Sequence, residues 1–183
     1  YVIVGFAIDN EYRVGSNFNA LAALRSGWVN RLGGEFFGNI DVGGKPSATV
    51  DFYQPLDYQN RFFINPTFHR KRDDINLFDG STRLAEYQLD TTYQQVVLGF
   101  NMESYGQAQL GWREYNFAGD ADITSVALPD VDERYGGYLA SLHFDRRNRL
   151  HFPSKGWRAD ASFFRPRDGS YSKIQVDLGK VYR

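Results

Sequence analysis

His69, His143 and His151 are the only imidazoles in this 183-residue chain, and so its best candidates for proton transfer near neutral pH. None is spaced to pair with a serine and an aspartate as a nucleophilic triad requires, and GFNMESYGQ (residues 99–107) lacks the glycine-framed serine of a nucleophile elbow. The chain has no cysteine, which removes thiolate nucleophiles, disulfides and thiolate metal sites. Asp73, Asp74 and Asp79 are close in sequence but read as a solvated loop, and the pair Asp120 and Asp122 is too sparse for a calcium loop. The segment is therefore expected to be non-catalytic, without cofactor or metal.

Two basic clusters remain. Arg70, Lys71 and Arg72 follow His69 without interruption, and such a run either solvates a strand end or meets phosphate groups through charge-assisted hydrogen bonds. Arg146, Arg147 and Arg149 lie within FDRRNRLHFPSKGW (residues 144–157), where Pro153 presets a bend and Gly156 permits a close backbone approach. Phe152 can pack there and Asp145 can hold one of the arginines, so the stretch reads as a structured turn, with anionic headgroups or a partner domain as the alternative use of its charge. The net charge is −1 and the motifs of nucleic-acid binding are missing, so no nucleic-acid partner is expected.

The elements that carry these residues are strands. Alternation of period two runs through nearly the whole chain. Val2, Val4 and Phe6 share one face; so do Phe36, Ile40 and Val42, opposite Asn39 and Asp41; and Trp157, Ala159 and Ala161, opposite Arg158 and Asp160. Ten such segments and no helix emerge, in one domain over residues 1–183. The sixth slips phase near Gln94 and Gln95: Leu89 and Tyr93 hold its apolar face first, opposite Asp90 and Gln94, then Val96, Leu98 and Phe100. A β-bulge explains that slip better than a turn, because Gln-Gln is poor turn chemistry. Long loops are expected at 72–81 and 119–133, and tight turns at 43–47 and 103–106.

Alternation alone says that one face is dry and the other wet. A soluble sandwich or small barrel buries its apolar face, whereas a membrane barrel turns it to lipid. Aromatic residues make up 16% of the chain although its mean hydropathy is only −0.49, and the segments are longer than the roughly 5–6 residues typical of soluble strands. Asp41, Asp51, Asp90, Gln107 and Asp160 suit a hydrated lumen, and Tyr and Trp toward strand ends suit an interfacial girdle. These features favour the membrane barrel, with a soluble β-sheet binding protein as the alternative.

Four stretches carry a family likeness. Asp145 to Gly156, with Asp-Arg-Arg-Asn and then Phe-Pro-Ser-Lys-Gly, resembles the D-x-R-N…FP-x-x-G signature of bacterial surface antigen barrels, the superfamily that includes outer-membrane assembly factors. Asn30 to Glu35 resembles that family's second turn, and Val50 to Phe68 its fourth and fifth strands. Ile75 to Asp90 looks most like the C-terminal barrels of patatin-like phospholipase autotransporters.

The resemblance implies an all-β antiparallel transmembrane barrel of sixteen strands, of which the chain is the N-terminal part with about ten. It implies residence in the bacterial outer membrane and secretion or display of a fused N-terminal patatin-like domain, or alternatively barrel insertion and protein translocation. The partners implied are outer-membrane lipids and lipopolysaccharide, together with the protein's own periplasmic and passenger domains. With the first strand running outward, the fifth and seventh connections, read as the long ones, fall outside the cell. Asp145, Arg146, Asn148, Phe152, Pro153 and Gly156 then form a periplasmic turn, and Arg70, Lys71 and Arg72 a contact for lipopolysaccharide at the outer rim.

Overall fold

The computed structural model describes residues 1–11, 15–79, 82–103, 105–124, 131–149 and 152–182, and the side chains of 1–5, 20–76, 88–103, 105–119, 132–149 and 152–182. Ten strands form where the alternation places them: β1 (Val2–Glu11), β2 (Gly15–Ser26), β3 (Glu35–Gly43), β4 (Ser47–Pro55), β5 (Phe62–Asp79), β6 (Thr82–Met102), β7 (Gly106–Thr124), β8 (Val131–Asp145), β9 (Gly156–Pro166) and β10 (Lys173–Val181). Each pairs antiparallel with its neighbour in sequence, giving one sheet in the order β1 to β10. The sheet is open, with β1 and β10 at its edges.

Strands touch only their sheet neighbours, so no second layer covers either face among the described residues. One face nevertheless holds the buried side chains: Val97 is 0% exposed, Phe63 1% and Leu139 7%, and Thr91 joins them. In a single layer, side chains shield one another only on the face toward which the sheet curls, so this is the inner face. Pairing of Val97 with Gly111, and of Gly111 with Leu139, sets three of its residues in one row. The outer face carries Ile40, Val50, Leu98, Leu110, Leu142 and Val176, all exposed.

Pro66 shows how sequence chemistry is accommodated in mid-sheet. It has no N–H to give, and the β4–β5 ladder lapses between the pairs Asp51↔Thr67 and Gln54↔Ile64. The side-chain amide of Asn65 donates instead to the Phe52 carbonyl, at 3.1 Å.

Three sequence expectations are corrected. Residues 72–79 are strand, so no long loop spans 72–81; β5 and β6 form a projecting hairpin with a register shift at Leu77/Phe78, and the β6–β7 ladder beside it shifts at Glu86/Tyr87. Likewise 119–124 and 131–133 belong to β7 and β8, while 125–130 lie outside the described residues. Asp-Asp and Asp-Gly are turn chemistry, but two antiparallel strands satisfy each other's backbone groups whatever their side chains, so a hairpin can run on through polar sequence. The lengths of those two segments therefore say nothing about sidedness, and the connections at 27–34 and 146–155 are longer than the one at 44–46. What sets one rim apart is the reach of β5, β6 and β7, of 18, 21 and 19 residues, past β3 and β4, of 9 each.

The third correction concerns the phase slip. β6 pairs without interruption through Gln94 and Gln95, opposite Phe68 and Thr67, so the strand is single but has no bulge there. The two faces exchange character instead. Leu89, Thr91, Tyr93, Gln95 and Val97 all point inward, and Asp90, Thr92 and Gln94 continue the outer face of Val96 and Leu98. Asp90, expected to line the wet face, is an outer-face residue.

Candidate functional site

The inner face is held by side-chain hydrogen bonds that its register dictates. Asp51 accepts from Asn65 Nδ2 at 3.1 Å and from Thr67 Oγ1 at 2.8 Å, on the strand beside it. Gln109 donates to Gln107 at 2.6 Å, Gln107 to Asn101 at 2.8 Å, and Asn101 to the Tyr53 hydroxyl at 2.9 Å. Arg25, Glu35, Asp51, Tyr53, Asn60 and Asn101 border an open cleft of about 990 Å³. These polar groups satisfy one another beside the small apolar cluster of Phe63, Val97 and Leu139, as the wall of a water-filled lumen can.

His69 shares a hydrogen bond with Thr49 at 2.8 Å, and His143 faces Asp160, which also accepts from Arg158 Nε. Neither pair includes a serine. His151 and the side chains of Asp79, Asp120 and Asp122 lie outside the described residues. Asp73 pairs with Lys71 at 2.6 Å and Asp74 accepts from Gln88, so these carboxylates do not converge.

Higher on the inner face is a cluster that sequence reasoning missed. Tyr115 stacks on Tyr135 with ring centroids 5.2 Å apart, Phe117 stacks on both, and Tyr93 tilts against Tyr115 at 5.1 Å. The Arg113 guanidinium lies over Tyr93 and donates to Gln95 at 2.7 Å. Not every ring toward a strand end belongs to an interfacial girdle, therefore. Trp112 with Tyr138 and Phe144 with Trp157 are on the outer face, as expected, but these tyrosines line the interior. Reading β6 without a bulge would have put Tyr93 on this face with Gln95, but its meeting with Tyr115 and Tyr135 is set by the register of β6, β7 and β8.

The turn after β8 is held by side-chain and backbone hydrogen bonds. Asp145 accepts from Arg147 Nη2 at 2.6 Å and from its Nε and backbone N–H at 3.0 Å, and the hydrogen bonds that the guanidinium donates to this carboxylate hold Arg147 above its ordinary value. Asn148 Oδ1 accepts the backbone N–H groups of Ser154 and Lys155, both at 3.1 Å, closing the loop around Pro153. Gly156 has φ +125°, and a Cβ there would stand 2.3 Å from the Arg146 carbonyl. Arg146 stacks over the Tyr105 ring of the adjacent turn at 4.1 Å. Phe152 departs from expectation: at φ +54° its ring stands 93% exposed and packs on nothing described. Trp28, Asn60 and Glu103 also have positive φ, so among the described residues each of the four connections at this rim contains one such non-glycine residue.

At the opposite rim the basic run is divided by strand alternation. Arg70 and Arg72 share the outer face with Asp90: Arg72 makes a bidentate pair with it, both contacts 2.9 Å, and Arg70 a single one at 3.2 Å. Lys71 points inward.

The fold defined by these features is a curled antiparallel wall with an apolar outer face and a hydrogen-bonded inner one. A solved structure with the same fold is BamA from Haemophilus ducreyi lacking POTRA domains 1–3, at a TM-score of 0.66 and 12% sequence identity, covering 97% of this chain and 36% of that one. The chain thus spans little more than a third of its neighbour. No protein-family model and no curated protein matches the sequence.

Proposed function

We propose that the chain is part of the wall of a bacterial outer-membrane β-barrel that anchors a protein and carries or displays another part of it across that membrane. The observation that carries this reading is the uncovered outer face, where Leu98, Leu110, Leu142, Ile174 and Leu178 stand exposed while the polar residues satisfy one another inside. Closing ten strands of this kind into a sixteen-stranded barrel would remove the edges at β1 and β10. The resemblance of Ile75 to Asp90 supports a fused N-terminal patatin-like phospholipase as the cargo. The segment itself would be non-enzymatic, with lipids and its own periplasmic and passenger domains as partners. A barrel-assembly role is the second reading, and the likeness to the BamA fold favours it.

The absence of cysteine makes the membrane reading simple to test. Leu110→Cys in outer-membrane vesicles should resist a water-soluble maleimide and Gln109→Cys, on the inner face, should react; equal reaction at both would refute the barrel. Depleting the full-length protein separates the two roles: a translocator would lose display of its own passenger only, whereas an assembly factor would deplete many barrels.

A further inference from the structure

We infer that Arg70 and Arg72 form a cradle on the outer face for the phosphate monoester of a membrane glycolipid. This rests on the proposed lipid-facing orientation of that face. Asp90 lies between the two guanidiniums and only 24% of its side chain is exposed, against 57% for Arg70 and 41% for Arg72. The carboxylate thus fixes both cations from the side of the sheet. Arg70 uses one N–H on it and Arg72 two, so most of the five N–H groups of each exposed guanidinium are left to bind another anion.

What lies beside the cradle fits an amphiphile. Across β4 and β3 the row Arg70, Ala48, Ile40 runs along the outer face, and the small side chain of Ala48 leaves a groove of about 370 Å³ between the arginines and the exposed Ile40 and Val42. The Arg72 N–H bonds the Pro46 carbonyl at 3.0 Å, placing the cradle level with the β3–β4 turn, where the apolar surface of these two strands ends. A hydrocarbon chain along Ala48, Ile40 and Val42 would bring its polar end to the arginines. Two guanidiniums held side by side on one carboxylate match the three terminal oxygens of a phosphate monoester better than the two of a phosphodiester. Lys71 takes no part, because it faces inward and pairs with Asp73.

Native mass spectrometry of the detergent-extracted full-length protein with lipid A, dephosphorylated lipid A or phosphatidylglycerol tests this. Retention of lipid A alone is expected. Arg70→Gln with Arg72→Gln should weaken it about tenfold or more, whereas Lys71→Gln should leave it unchanged. Arg70→Lys with Arg72→Lys, which keeps the charge but loses the fork, should fall between. Undiminished binding in the double Gln variant, an equal loss with Lys71→Gln, or equal retention of either control lipid would overturn the site. Leu98→Cys separates this from the membrane reading: with that cysteine protected from aqueous maleimide, lost lipid selectivity overturns only the cradle, whereas full labelling overturns the barrel orientation itself.

Discussion

Phe63 on β5 lies flat over Gly99 on β6, so close that a Cβ on Gly99 would stand 1.9 Å from the Phe63 Cζ. The two are cross-strand partners on the inner face, and the missing side chain of one makes room for the ring of the other. Phe63 is thereby buried in a sheet with no second layer, and Tyr53 packs against it at a centroid distance of 4.7 Å. Gly99→Ala should expel the ring and destabilise the folded protein by about 1–3 kcal/mol. The check is a lowered temperature for loss of the compact band in heat-modifiability electrophoresis, restored in part by Phe63→Leu.

Gly156 is demanding for a different reason. Its positive φ and the Arg146 carbonyl beneath it leave no space for a side chain. Gly156→Ala should cost about 1–3 kcal/mol and open the turn. Protease cleavage between Arg146 and Lys155, absent in the parent protein, would report that opening, and Asp145→Ala should give a milder version by freeing Arg147.

The outer and inner faces should respond oppositely to charge. Leu98→Arg places a cation on the exposed apolar surface and should destabilise the membrane-inserted form by about 2–4 kcal/mol if it sits near the bilayer midplane. Gln109→Arg, on the inner face, should cost much less, about the 0.5–1.5 kcal/mol of the hydrogen bond it gives to Gln107. Urea titrations in lipid vesicles compare the two, and equal costs would contradict the assignment of faces.

Asp57, in the connection between β4 and β5, supplies a pH test. Burial pushes its carboxyl upward, but the Phe62 N–H, the Arg61 guanidinium and the Arg61 N–H together outweigh that and hold it below the ordinary aspartate range. A depressed folded value means that the carboxylate's contribution is fully present above the unfolded value of roughly 3.9 and disappears as pH falls through the lower, folded one. The loop should therefore stay ordered at pH 4 and loosen only below it. Carbon-detected titration of Asp57 by NMR would show this, and a midpoint at or above the ordinary value would contradict it.

Much of the fold was legible because side-chain direction in a strand has period two. Val50 against Asp51, Leu142 against His143 and Ala161 against Asp160 each told which face a residue takes, and ten strands followed. β6 misled for a physical reason. Period two says that faces alternate, not which of them is apolar, and above Gln95 the inner face is aromatic while the outer carries Asp90 and Gln94. A change of environment along one strand and a bulge leave the same trace in sequence. Turn chemistry misled at 72–79 because a hairpin ladder needs only backbone groups, which Asp and Asn possess as well as Val does.

The sequence by itself determined the strands, the faces of most of them, and the grip of Asp145 on an arginine, since these depend on alternation and on residues two apart. Only the tertiary structure decided that Arg70 and Arg72 share Asp90, that Phe63 is buried over Gly99, and that Tyr93, Tyr115 and Tyr135 form one cluster. Each of these joins residues roughly 18 to 36 positions apart, across one or two ladders. Register fixes such meetings, and it is settled by all the pairings of the sheet together rather than by any one segment.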